Sequence, residues 1–248
     1  MQAIYVLWLR QLKRFWRSKA RVMGSLGQPL LFLLALGFGF GPTFQKAGQG
    51  NYLQFLAPGV IAMSILFSSV FFGIEIIFDR QFGFLKETLV APVSRWEIVI
   101  GRTLGGATVS TLQGLMVFGI SILIGFRPSS LGGSLLSILI MSLTAILFAA
   151  LGTAIASRLT DAHAFQIIMN FVIMPLFFLS GALFPLENLP PVLNALIHLN
   201  PLSYGVDALR ASLINTSHFG IGLDLMVLSV GATLILTIAS YLFSKIEL

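Results

Sequence analysis

Charge divides this chain into long silent stretches. Residues 22–45, 47–74, 103–126, 128–157, 162–186 and 225–244 carry no Asp, Glu, Lys or Arg, in runs of 24, 28, 24, 30, 25 and 20 residues. A bilayer core is crossed by about 20 helical residues. The pattern predicts six transmembrane helices, at about 23–43, 56–78, 99–125, 132–157, 163–183 and 223–243. A seventh uncharged stretch, 188–206, contains Pro190, Pro191 and Pro201. Proline leaves backbone groups without partners, so this stretch cannot cross lipid as one helix. It predicts two short helices, 189–198 and 202–214. They either dip back into the outer leaflet or lie on the headgroups.

Two polar stretches have helical periodicity of their own. In residues 1–21, Ile4, Tyr5, Trp8, Leu9, Leu12, Phe15 and Trp16 share one face, and Arg10, Lys13, Arg14, Arg17 and Arg21 share the other. That is the pattern of a helix lying in the membrane interface with its cations towards lipid phosphates. The alternative is the basic start of a signal peptide; against it, the following apolar run is too long and no small-residue cleavage site closes it. In residues 79–97, Leu85, Leu89, Val93 and Trp96 fall at i, i+4, i+8 and i+11, one face of a helix. A short amphipathic helix between spans is a place where something outside the membrane can push.

Composition agrees with the periodicity. The 248 residues are 56% hydrophobic and 10% charged, against about 25% charged in a soluble domain, and the mean hydropathy is +0.94. The chain reads as an all-α integral membrane protein whose single transmembrane domain takes up residues 1–248. With the N-terminus cytoplasmic, twelve Lys and Arg fall on inner segments and only Lys46, Arg127 and Arg210 on outer ones. This positive-inside bias puts both termini, and residues 79–97, in the cytoplasm. The net charge of +6 is thus an inner-surface charge rather than a nucleic-acid footprint. There is no cysteine, hence no disulfide framework and no Cys-based metal site.

Candidate chemistry is sparse. The chain has no phosphate-cradling G-x-x-x-x-G-K-[ST], no H-E-x-x-H and no G-x-S-x-G. His163, His198 and His218 are scattered over different loops. No catalytic residue and no metal site is therefore assigned. Glu75 is the single ionisable candidate within the spans. It either pairs with a nearby Arg such as Arg80 or Arg102, or acts as a polar latch at an inner gate. Transporters driven by protons or sodium use buried charges or broken helices near the midplane, and the charges are missing here. Energy for uphill transport then comes from outside the chain. A membrane enzyme acting on lipid-linked substrates is the alternative, with Glu187, Asp207, Arg210 and Asp224 as its only outer polar set; a secondary transporter is a third reading. Gly37-x-x-x-Gly41 and Gly101-x-x-x-Gly105 are candidate close-packing pairs. Pro175 is expected to kink the fifth span. The run 174–181 around it either lines a path or faces lipid.

Two motifs, in this order of parts, carry a resemblance. Residues 79–95, Asp-Arg-Gln-Phe-Gly-Phe-Leu-Lys-Glu-Thr-Leu-Val-Ala-Pro-Val-Ser-Arg, and residues 200–210, Asn-Pro-Leu-Ser-Tyr-Gly-Val-Asp-Ala-Leu-Arg, sit at matching places in a six-span chain with a basic interfacial helix. The chain resembles the permease subunit of an ABC-2 type exporter, of the daunorubicin-resistance and nodulation type. It departs from that family's usual pattern at Gln81 and Phe84. The resemblance implies a permease dimer in the plasma membrane, of identical copies or close paralogues, with a cytoplasmic ATPase subunit docked on each half. ATP and Mg are bound by that ATPase and no cofactor by this chain. It also implies that the helix at about 82–91 is the coupling helix. Asp79, Arg80, Phe82, Gly83, Phe84, Leu85, Lys86, Glu87, Leu89, Val90 and Pro92 are then the coupling residues: Phe84, Leu85, Leu89 and Val90 seat in a groove on the partner, and Arg80, Lys86 and Glu87 set the register. Asn200, Pro201, Tyr204 and Arg210 mark the outer re-entrant motif. The implied cargo is an amphipathic drug, a lipid or a lipid-linked glycan.

Overall fold

The computed structural model describes residues 2–46, 51–90, 92–186 and 190–246, without the side chains of Arg21, Leu89 and residues 44–46. Ala91 and Glu187 therefore lie outside the described residues. The described chain begins with α1 (Gln2–Arg17), α2 (Lys19–Gly39) and α3 (Gly41–Lys46). Next come α4 (Tyr52–Phe71), α5 (Ile74–Gln81), α6 (Phe84–Val90) and α7 (Arg95–Ile124). The chain closes with α8 (Leu131–Ala156), α9 (Ala162–Phe178), α10 (Pro191–Leu199), α11 (Pro201–Ile214) and α12 (Ile221–Ser244).

Five stretches are long and apolar enough to cross a membrane: Val22–Gly39, Tyr52–Gln81, Arg95–Ile124, Leu131–Ala156 and Ile221–Ser244. The sixth expected span is α9, a 17-residue apolar helix, about 26 Å long. It stops at Phe178 rather than at 183, because Gly181 turns the chain at φ 72° and the Ser180 hydroxyl donates back to the Phe177 carbonyl at 2.6 Å. The described residues thus contain five helices of spanning length and one shorter apolar helix.

Helix α4 is the axis of the molecule. It is buried along most of its length, with α2, α7, α8, α9 and α11 around it. Lipid is as apolar as leucine, so burial from water does not drive these helices together; close packing and polar contacts do. Glycine makes the closest approaches. A Cβ on Gly73 would strike the Gly152 carbonyl of α8, and one on Gly152 would strike the Val70 carbonyl. This backbone crossing coincides with a break in the expected 56–78 helix, which runs as α4 and α5 with Phe72 and Gly73 between them. Gly101 and Gly105 also earn a structural explanation: a Cβ on either would press on Ile4 and Leu7 or on Gln11 of α1. The Gly37 and Gly41 pair does not form such a contact, since Gly41 has open space around it.

The amphipathic face expected across 79–97 is split between two helices. The helix α6 covers seven residues, Pro92 lies beyond its end, and Ser94 starts α7. The Ser94 hydroxyl accepts the Glu97 N–H at 3.3 Å and the Glu97 carboxylate accepts the Ser94 N–H at 3.4 Å, a capping box. Val93 and Trp96 therefore do not continue the face of Leu85.

Gly73→Ala and Gly152→Ala should each lower stability by about 2 kcal/mol, because backbone blocks relief of the overlap. Gly119→Ala, where a Cβ meets open space, should be neutral or stabilising by about 0.5 kcal/mol. Denaturant titration of the detergent-solubilised protein measures all three.

Candidate functional site

The polar interior at the end of the spans near α5 is built from three helices. On α5, Glu75 and Asp79 are four residues apart and share a face, and both are buried. Arg102 on α7 is buried and pairs with Asp79. From α1, Arg10 donates to the same carboxylate at 2.7 Å, and Arg14 pairs with Glu75 at 3.3 Å. The amphipathic α1 lies along α7, where the Trp8 indole N–H donates to the Thr108 hydroxyl at 3.0 Å. The interfacial helix is thus bound to the spans by charge as well as by its apolar face. Its partner for Glu75, Arg14, is one that charge spacing along α5 did not indicate.

The opposite side of α5 is held as firmly. The Arg80 guanidinium donates to the Leu159 carbonyl at 3.0 Å and to the Ser157 carbonyl at 3.3 Å. Gln81 donates to the Thr160 carbonyl at 3.1 Å. These carbonyls lie at the C-cap of α8 and in the connection to α9, where no helix supplies donors. The next residue, Asp161, caps α9. The backbone N–H groups of His163 and Ala164 donate to its carboxylate at 3.1 Å and hold its pKa below the usual carboxylate range. So α5 is pinned to α1 and α7 on one side and to the α8–α9 junction on the other.

Beyond α5, the chain turns at Gly83, whose φ of 82° suits glycine, and enters α6. The structure sorts the residues expected to couple. Leu85 is fully buried and anchors α6 inward, so it does not take part in an outward face. Arg80 and Asp79 are spent on internal bonds, so Arg80 is not free to set the register of a partner. Phe82, Phe84 and Val90 are exposed by 71%, 53% and 80%, and Lys86, Glu87 and Pro92 are exposed beside them. The Leu89 side chain lies outside the described residues. The start of α7 is secured by Arg95, which donates to the Ser244 and Ile246 carbonyls at 2.7 and 2.9 Å.

At the other membrane face, α11 is wedged between α4, α8 and α12 and is buried over most of its length. It does not lie on headgroups, whereas α10 is largely exposed, with only Ile197 buried. Each motif residue satisfies irregular backbone. Asn200 caps α11 by accepting the Leu202 N–H at 3.0 Å and donates to the Leu176 carbonyl of α9 at 2.7 Å. Pro201 begins the helix, where its missing N–H costs nothing. The Tyr204 hydroxyl donates to the His198 carbonyl of α10 at 2.8 Å. Arg210 donates to the Gly181 carbonyl at 2.7 Å and lies 3.8 Å from the centre of the Phe55 ring. The sequence motif left out the role of Asp207. Its carboxylate accepts the His218 and Phe219 N–H groups at 2.8 and 2.7 Å and the Ser217 hydroxyl at 3.0 Å. An acid one turn before Arg210 was the signal that could have found it.

This geometry disposes of two members of the outer set considered for an enzyme, since Asp207 and Arg210 are committed to backbone. Among the described residues, no group of three or more His, Cys, Asp or Glu is placed to hold a metal ion.

The family model described as ABC-2 type transporter matches residues 2–214. The chain is 31% identical over 219 residues to a protein of Porphyra purpurea named as transport permease ycf38, covering 87% of this chain and 75% of that one. It is 27% identical over 217 residues to Nodulation protein J of Sinorhizobium fredii, covering 87% and 82%. Nodulation protein J of Rhizobium leguminosarum bv. trifolii is 29% identical over 208 residues, covering 83% and 76%.

Asp79→Asn should cost about 3–5 kcal/mol, because it leaves the buried Arg102 charge uncompensated. Asp79→Leu combined with Arg102→Met should recover most of that loss, while Arg10, partly exposed, turns to water. A denaturant double-mutant cycle reads the coupling; a cost below about 1 kcal/mol for Asp79→Asn means the pair does not hold α5.

Proposed function

The chain belongs to the ABC-2 type transporter family, and from that premise we propose that it is the permease subunit of an exporter driven by a separate cytoplasmic ATPase. As a permease of that family it is a multi-pass membrane protein whose task is transport rather than catalysis. The observation that carries the proposal is the contrast within residues 79–92. Asp79, Arg80 and Leu85 are tied into the molecule, while Phe82, Phe84, Val90, Lys86 and Glu87 face outward. Exposed aromatic and apolar side chains beside charges fit a protein groove, and their anchors pass a push inward.

The route of the push follows from the bonds. Pressure on α6 reaches α5 through the Gly83 turn. Its charges then act on α1 and α7, and Arg80 acts on the α8–α9 junction. In this reading ATP and Mg are held by the ATPase subunit. Both termini and α6 are cytoplasmic, and a second permease, identical or a close paralogue, completes the pathway in the plasma membrane. Glu75, paired with Arg14 at the inner end of the spans, is the candidate gate residue. The cargo proposed is an amphipathic drug, a lipid or a lipid-linked glycan. Against the membrane-enzyme reading stands the outer motif, whose Asp207 and Arg210 are occupied by backbone.

The test uses the permease co-expressed with its ATPase and reconstituted in vesicles. The permease alone should hydrolyse no ATP. Phe84→Asp and Val90→Asp should each weaken capture of the ATPase by about 2 kcal/mol, roughly thirty-fold, with unfolding midpoints within about 0.5 kcal/mol of the parent. Leu85→Asp should instead lower stability itself, by burying a charge. An ATPase that binds Phe84→Asp and Val90→Asp as well as the parent would sink the assignment of α6.

A further inference from the structure

A cavity of about 440 Å³ lies between α1, α2, α4, α5 and α7, within the roughly 300–1,000 Å³ range of small-molecule sites. Neither the coupling reading nor the outer motif uses it. We infer that it seats one acyl chain of a phosphate-headed lipid of the leaflet in which α1 lies, with the head at Arg14, as a resident ligand rather than as cargo.

Depth is the first argument. The α4–α5 wall runs from Met63 to Phe78, a rise of about 22 Å. One leaflet with its headgroups is about half of a bilayer of about 40–45 Å, so the cavity has the depth of one leaflet from its polar edge to the midplane. Chemistry changes along it in the same direction. Arg14 and Glu75 stand at the polar end, and Phe15, Phe67, Phe71 and Met63 line the body. Most hydroxyl and amide groups on the wall are engaged: Gln113 donates to Ser25 at 2.6 Å, Ser110 to Ser68 at 2.9 Å and Ser64 to the Ile61 carbonyl at 2.9 Å. What a guest meets is a mainly apolar slot, with Gln28 on its α2 wall, under a charged mouth.

Charge selects the head. The mouth is lined by Arg14 and Glu75, and behind them Arg10 and Arg102 meet Asp79, so the connected cluster holds three cations and two anions, a surplus of one positive charge. Lys13 and Arg17 add exposed cations on the same helix. Arg14 is held by Glu75 on one side yet keeps 41% of its side chain exposed, so it has N–H groups left for a phosphate. A net anionic head such as phosphatidylglycerol is favoured over a zwitterionic one. Gly24 lines the cavity and is exposed, and a Cβ there meets nothing within 4 Å, so a larger side chain can be placed at this wall without moving backbone.

This inference does not rest on the ATPase reading, because the permease alone tests it. The purified chain is equilibrated in mixed micelles with phosphatidylglycerol or with phosphatidylcholine of the same acyl chains, and native mass spectrometry counts the lipid retained. The parent and Gly24→Ala should keep one phosphatidylglycerol per chain and little phosphatidylcholine. Gly24→Phe should lose it. Arg14→Gln should lower the preference for phosphatidylglycerol about tenfold. Inorganic phosphate should not displace the lipid. Full retention by Gly24→Phe, equal retention of both lipids by the parent, an unchanged preference in Arg14→Gln, or displacement by inorganic phosphate would each overturn the assignment.

Discussion

The buried Asp79 carboxylate accepts two guanidinium groups from two different helices, Arg10 of α1 and Arg102 of α7. Much of the molecule's end around α5 depends on that meeting. A charge removed from water is tolerated when it is paired and hydrogen-bonded. Three positive and two negative groups in one small volume can be met only if α1, α5 and α7 keep their positions. The constraint is mutual: α1 is an interfacial helix by its pattern, but its place against α7 is set by Arg10, Trp8 and the glycine pair at 101 and 105. A site that is costly to break is also one that transmits displacement, because its parts cannot move independently.

The same rule shapes the opposite face with different chemistry. Where the chain is not helical at membrane depth, its backbone N–H and carbonyl groups need partners. Helix α11 supplies them one by one. Asn200 serves the end of α9, Tyr204 serves α10, Arg210 serves the turn at Gly181, and Asp207 serves the loop at 217–219. A motif that looks like a cluster of reactive groups is instead a set of braces that ties two short helices to α9 and to the loops beside them.

Between these faces the packing is done by backbone. The crossing of Gly73 with Gly152 brings α8 onto the break between α4 and α5, so the part of the chain nearest the exposed α6 is also the part where the central helix is interrupted. Helix α5 is therefore bonded at its sides, continued from α4 through a tightened but still helical turn at Phe72–Gly73, and ended by the turn at Gly83.

The apolar runs of the sequence located the long helices to within a few residues, and prolines at 190, 191 and 201 foretold the short pair α10 and α11. Those readings succeed because crossing lipid is a local demand: enough apolar length, no unpaired charge, no broken backbone. The periodicity of 79–97 misled because it ran through Pro92 and a new helix start at Ser94, and spacing alone does not register where one helix ends. Which residues of the 79–92 stretch face inward was equally hidden. Leu85 and Val90 are both apolar, yet one is fully buried and the other largely exposed. Glu75 was visible as an isolated acid, but its pairing with Arg14 joins residues sixty-one positions apart. Composition along the chain thus determined that this is a bundle of membrane helices and where they lie. Tertiary structure decided which charges meet, which motif residues are braces and which side chains stay outward, because those depend on which helices are neighbours in space.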